Sequence, residues 1–268
     1  MPTFDTPSPI TATIEVVAGS VHLSAGERTD TVVDVRPRDP NRASDVRAAE
    51  QARVDYRNGV LKVSAGRRAL SLGRGGAVDI DIALPAGSSL QASSASANVI
   101  GDGSYAESRF ASASGDARLE TVNGNLKADT ASGDITVDCL VGDGKIATAS
   151  GDARIGRLDG DVKFQAASGG LTVGTLRGHV TAQTASGSAT VSAAVQGGFS
   201  VQTGSGVVEV GIPEGTAARL ELKTHSGTVD NAMSASAGPA DGDETVVVRA
   251  RTGSGDISIR RAGGPVAA

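Results

Sequence analysis

The chain has 268 residues with 25 basic and 30 acidic side chains, so its formal net charge of −5 gives it no overall positive field of the kind that general nucleic-acid binding needs. It contains one cysteine, no tryptophan, two tyrosines, four phenylalanines and 36 glycines. That composition excludes an intramolecular disulfide and a cysteine zinc cluster, and it argues against a globule packed around aromatic rings.

The opening segment MPTFDTPSPITA lacks the basic and apolar regions of a signal peptide, and no run approaches eighteen apolar residues. The expectation is a cytoplasmic protein without membrane insertion, with cell-surface association by an unrecognised route as the alternative. Apolar and polar residues then alternate, predicting strands over 10–17, 20–24, 31–36, 59–64 and 77–84. Asn58-Gly59 is a two-residue hairpin signal. Ser44 is placed to cap a short helix over 45–53. Residues 1–90 therefore read as a β-rich cap with one helix, covering a terminal coil whose backbone groups would otherwise stay unpaired.

From residue 91 the pattern becomes periodic. Ser-Gly dipeptides begin at Ser114, Ser132, Ser150, Ser168 and Ser186, each eighteen residues apart, and then at Ser205, Ser226 and Ser254 at intervals of nineteen, twenty-one and twenty-eight. A second glycine recurs midway, at Gly124, Gly142, Gly160, Gly178 and Gly197. A fixed period of this length signals stacked repeats. Counting from the corner serine, positions four and six hold pairs such as Ile135 and Val137 or Leu171 and Val173, and positions thirteen and fifteen hold Val162 and Phe164 or Val180 and Ala182. The intervening residues are polar, so each half repeat reads as a short strand with one buried face.

The predicted fold is thus all-β: a parallel β-solenoid over 91–261, with two short strands per coil of about eighteen residues, followed by a flexible tail over 262–268. Right-handedness is expected from the chirality of parallel connections. The corner glycines are expected to adopt positive φ. The final run DISIRR reads as a charged stop.

Asp116, Asp134 and Asp152 follow three successive Ser-Gly corners and should form a carboxylate ladder. Calcium could relieve their repulsion. The favoured reading has them accept backbone hydrogen bonds and pair with Arg118 and Arg154. Lys127, Lys145 and Lys163 form a second ladder, with Asn125, Asp143 and Asp161 two residues earlier; mutual neutralisation by these partners is the simpler account, and a binding stripe for an anionic polymer is the alternative. Together Arg118, Thr136, Arg154, Lys127, Lys145 and Lys163 are the candidate partner-binding residues. No residue set suggests catalysis, a cofactor or an enzyme, since the three histidines have no metal-ligand spacing and sugar subsites lack their aromatic platforms.

The segments MPTFDTPSPITATIEV, AGERTDTVVDVRPRD and VDIDIALPAGSSL, followed by tandem SGD repeats, resemble a bacterial, actinobacterial-type β-strand-repeat family, domain of unknown function 4097, labelled "putative adhesin". The resemblance implies a solenoidal β fold and no catalytic residues. The functional expectation is a non-catalytic, adhesin-like binding protein for a partner protein or cell-envelope polymer. The alternatives are a self-associating filament scaffold, recognisable by an uncapped terminal coil, and a polysaccharide-active or calcium-binding β-roll-like protein.

Overall fold

A computed structural model describes residues 1–66, 76–234, 238–239 and 242–263. They are nearly all strand with one short helix, and they form two compact units, Met1–Val137 and Asp138–Ala268. Residues 264–268 of the expected tail lie outside the described residues.

The first unit contains β1 (Thr3–Asp5), β2 (Thr11–Gly26), β3 (Asp30–Pro37), α1 (Ala43–Glu50), β4 (Arg53–Arg57), β5 (Val60–Ala65), β6 (Val78–Pro85), β7 (Ser88–Ser112), β8 (Ala117–Asn123) and β9 (Leu126–Thr130). The strands expected over 10–17 and 20–24 are one strand, β2, bent at Gly19. There φ is 125°, and a Cβ would lie 1.8 Å from the Val78 carbonyl oxygen. β2 is itself a coil of the repeat. It pairs in parallel with β7 on one side, Thr11 opposite Ser89 and Ala25 opposite Gly103. On the other side it pairs in parallel with β5 and β6, Thr11 opposite Val60 and Gly19 opposite Val78.

The coil made by β5 and β6 is covered by antiparallel strands. β4 pairs with β5 and β3 with β6, while β1 adds to β3. Asn58 and Gly59 close the β4–β5 hairpin with φ of 52° and 76°, both positive as a two-residue primed turn demands. The helix corrects the expected boundaries: it starts at Ala43, its N-cap Arg42 makes no side-chain capping bond, and Arg53 already belongs to β4. Its position is fixed by tertiary contact instead. The buried Asp45 carboxylate accepts the Ala77 N–H at 3.2 Å and the Ser44 hydroxyl at 3.0 Å, so Ser44 serves Asp45 and not the helix end.

Strand β10 (Ile135–Val141) spans the boundary between the units. The second unit continues with β11 (Gly144–Thr148), β12 (Ala153–Ala166), β13 (Leu171–Thr184), β14 (Ala189–Thr203), β15 (Val208–Ile212), β16 (Thr216–Thr224), β17 (Val229–Asn231), β18 (Glu244–Thr252) and β19 (Ile257–Arg261). Pairing is parallel and in repeat register. Ile155, Val173, Val191, Val210 and Ile259 stand opposite one another in turn, all at most 2% exposed, and Val137 in the first unit is equally buried. The nineteen-residue interval is a bulge in β14, where the register shifts between Leu176 and Arg177.

Chain order and stacking order part company at the C-terminal side. β18 and β19 insert between β14–β15 and β16–β17, so among the described residues β16 pairs only with β18, and β17 only with β19. The DISIRR run therefore lies between two strands and is not the stop expected of it.

The glycine expectation is also corrected. Positive φ belongs to the mid-coil glycines Gly124, Gly142, Gly160, Gly178 and Gly197, and to none of the Ser-Gly corners. The corner glycines are required by close stacking: a Cβ on Gly187 would lie 1.8 Å from the Gly169 carbonyl oxygen, and one on Gly206 would lie 1.8 Å from that of Gly187. A threonine three residues before the glycine completes the corner. Thr130, Thr148, Thr184, Thr203, Thr224 and Thr252 each accept the N–H of that glycine at 2.8 to 3.1 Å.

Candidate functional site: a polar face of the second unit

Each coil of the second unit turns at its mid-coil glycine, so its two halves present different outward faces. On the second-half face, parallel register aligns Lys145, Lys163, Thr181, Ser200, Arg249 and Glu221 in one column. The neighbouring column, two residues along each strand, reads Ala147, Gln165, Gln183, Gln202, Arg251 and Lys223. The three glutamines, with Thr184 and Thr203, line a shallow groove of about 510 Å³. Arg249 donates to Glu221 at 3.1 Å, whereas Lys145, Lys163, Arg251 and Lys223 make no ion pair among the described residues. Five cations thus face one carboxylate across these two columns. The opposite half is different in character, with Arg154, Thr172, Thr190, Glu209 and Ser258 aligned.

The expected site residues do not converge. Arg154 sits on the first-half face, paired with Asp152 at 3.2 Å, while Lys145 and Lys163 occupy the second-half face. In the first unit, Arg118 and Thr136 lie on first-half strands and Lys127 on a second-half strand. Lys127 pairs with Asp129 at 3.4 Å, two residues after it, where the sequence placed candidate partners two residues before.

The corner aspartates accept backbone bonds from the following coil. The Asp116 carboxylate takes the Asp134 N–H at 2.9 Å, and that of Asp152 takes the Gly170 N–H at 2.9 Å. The Asp256 carboxylate accepts the N–H and hydroxyl of Thr228, both at 2.8 Å, and these two bonds hold its pKa below the ordinary carboxylate value. Among the described residues no group of three or more His, Cys, Asp or Glu is arranged to hold a metal ion.

Sequence reasoning missed Gln165, Gln183 and Gln202, although their spacing of eighteen and nineteen repeats the period. It could not have placed Arg249, Arg251 and Lys223 beside them, because β18 and β16 are stacked out of chain order.

Register-stacked coils carrying side-chain columns define a β-solenoid-like repeat fold. The chain belongs to the family described as Toastrack DUF4097, whose model matches residues 42–198. No curated protein matches the sequence. Among solved structures, the chain is similar to a "putative lipid binding protein" from Parabacteroides distasonis ATCC 8503, at 14% identity and a TM-score of 0.57, covering 98% of this chain and 96% of that one. It also matches a "putative adhesin" from Bacteroides fragilis NCTC 9343, at 12% identity and a TM-score of 0.39, covering 96% of both chains. The first likeness supports the fold.

Proposed function

We propose that this protein is a non-catalytic binding module, a right-handed β-solenoid whose second-half face docks a partner protein or cell-envelope polymer bearing acidic groups. The observation that carries the reading is the pair of columns in which Lys145, Lys163, Arg249, Arg251 and Lys223 surround in-register glutamines on a chain whose net charge is negative. Cations at either end of a row of stacked amides match a ligand that carries both acidic and hydroxyl groups. A sugar-cleaving site on this face is disfavoured because Phe164 and Phe199, the aromatic residues of the second unit, are buried and offer it no stacking platform.

The test is salt-gradient elution from immobilised heparin, used as a generic polyanion. The native protein is expected to be retained, Lys163→Glu with Arg251→Glu to elute at markedly lower salt, and Arg154→Glu, on the other face, to behave as native. Loss of retention by Arg154→Glu alone would reject this face. The proposal keeps the cytoplasmic location expected from the sequence; recovery in the envelope fraction of disrupted cells would move the partner to the surface.

A further inference from the structure

The outer edge of β16 has no strand partner among the described residues. Gly215 accepts the Glu244 N–H and His225 donates to the Thr252 carbonyl, so odd-numbered residues of β16 face β18. The N–H and C=O groups of Ala218, Leu220 and Leu222 therefore point to the open edge. The side chains of Leu220 and Leu222 are half-buried, although they extend the columns in which Val248 and Ala250 are fully enclosed. The described part of the β17–β18 connection does not pair with this edge. Met233, Ser234, Gly238 and Pro239 border a cavity of about 490 Å³ beside it.

We propose that the chain forms a two-fold symmetric dimer by antiparallel pairing of β16 with β16 of a second copy. The strand spans Thr216–Thr224, and its midpoint is Leu220. Antiparallel pairing about that midpoint sets Leu220 against Leu220 of the second copy, Ala218 against its Leu222, and Arg219 against its Glu221. Symmetry makes each of the last two contacts twice. Apolar residues stay on the inner side, opposite charges meet on the outer side, and the edge groups of Ala218, Leu220 and Leu222 gain partners. Pairing shifted by one residue, about Glu221, would oppose two glutamates and set Arg219 against Lys223, so charge selects the register. Because both copies use the same strand, the contact closes at two chains. The edge borders the proposed polyanion face, to which Glu221 and Lys223 of β16 also belong, but chain mass and heparin retention are separate readouts, so the two proposals fail or hold independently.

Sedimentation of the full chain in the micromolar range tests it. The native protein is expected at twice the 26.6 kDa chain mass. Glu221→Arg opposes arginines at both symmetric contacts and should raise the dimer dissociation constant about ten-fold or more. Arg219→Glu combined with Glu221→Arg restores opposite charges across the axis and should restore the dimer. Arg219 and Glu221 also pair within one chain at 3.4 Å, so the double variant repairs that contact too. An equimolar mixture of Arg219→Glu chains and Glu221→Arg chains separates the two, because like charges remain within each chain while every contact across the axis is opposite, and mixed dimers are expected. A native protein at the single-chain mass, a dimer unaffected by Glu221→Arg, or a double variant as weak as the single one would overturn the proposal. Circular dichroism confirms that each variant is folded.

Discussion

In the first unit, the coil of β5 and β6 is covered on its outer side by β4 and β3, and Leu61, Val63, Ile80 and Ile82 beneath are at most 1% exposed. In the second unit, the coil of β16 and β17 has no such cover among the described residues; Leu220 and Leu222 are half-buried and Val229 is 45% exposed. The coils themselves are built alike, from parallel strands with alternating inward residues. What differs is how the last ladder of backbone groups is used. Covering it takes β3, α1 and β4, some thirty residues of chain between β2 and β5, and leaves as the new edge beside β5 a five-residue strand carrying Arg53, Asp55 and Arg57. Leaving it bare keeps an edge available for pairing.

The largest effect should separate these two coils directly. Leu61→Asp puts a carboxylate into a fully enclosed column and should cost about 4 kcal/mol, whereas Leu222→Asp, at the bare edge, can reach water and should cost about 1 kcal/mol. Urea midpoints of the two variants measure the difference. Equal midpoints would mean that the two coils are enclosed alike.

A second contrast concerns the stacked corners. Gly187→Ala drives a methyl group to 1.8 Å from the Gly169 carbonyl oxygen, with coils packed on both sides, so neither can move away. A loss of about 3 kcal/mol is expected. Gly227→Ala meets the Gly255 carbonyl oxygen at 2.1 Å, but β17 has no strand on its far side among the described residues and can lift. Its loss should be about 1 kcal/mol, read as a smaller fall in melting temperature.

Much of this was legible in the sequence, because stacked coils repeat their chemistry at fixed intervals. The alternation that places Ile155 and Val173 inside follows from the strand period alone, and the Asn58-Gly59 hairpin follows from local backbone preference. Order was not legible. Nothing local marks β2 as the neighbour of β7, since Thr11 and Ser89 are 78 residues apart in the chain, or β18 as the filling between β14 and β16. The candidate face suffered for the same reason: Lys145 and Lys163 lie in the regular register, while Arg249, Arg251 and Lys223 join them only through the insertion. The corner threonine was visible in most repeats, yet its role appears only when its hydroxyl is seen meeting a glycine N–H.

The two terminal coils should also differ in acid. Burial alone raises the pKa of Asp45, but the Ala77 N–H, the Ser44 hydroxyl and the Arg42 charge outweigh it and leave the value below ordinary. The Asp256 pKa is lowered by the Thr228 N–H and hydroxyl. A carboxylate whose folded pKa is depressed stabilises the fold above its unfolded value, about 3.9, and that contribution is lost as pH falls through the folded value. Melting temperature should therefore drop below about pH 4, and each of Asp45→Asn and Asp256→Asn should flatten that drop while lowering the plateau at pH 7. Asp45→Asn should act more strongly, because its carboxylate is enclosed between the helix and β6 whereas Asp256 is exposed. A variant that leaves the acid limb unchanged would show that its carboxylate does not tie down the segment it bonds.

The smallest effect should be a gain, at the one Ser-Gly corner of the second unit that lacks its threonine. Ala166 stands in register between Thr148 and Thr184, both of which bond the glycine three residues on. A threonine there would offer the Gly169 N–H the acceptor that its neighbours enjoy, and threonine already fits the same position in the adjoining coils. Ala166→Thr should stabilise by about 0.5 to 1 kcal/mol, the net worth of a hydrogen bond in a mostly buried setting. Thr224→Ala removes the matching bond in the bare coil, where water can replace the lost acceptor, and should cost less than Thr184→Ala in the enclosed one. Melting temperatures of the three variants complete the comparison. If Ala166→Thr lowered stability, the hydroxyl would be crowded by the Gly151–Gly169 stacking and not welcomed by it; if Thr224→Ala cost as much as Thr184→Ala, the bare coil would be as dry as the covered ones, and the distinction between the two would fail.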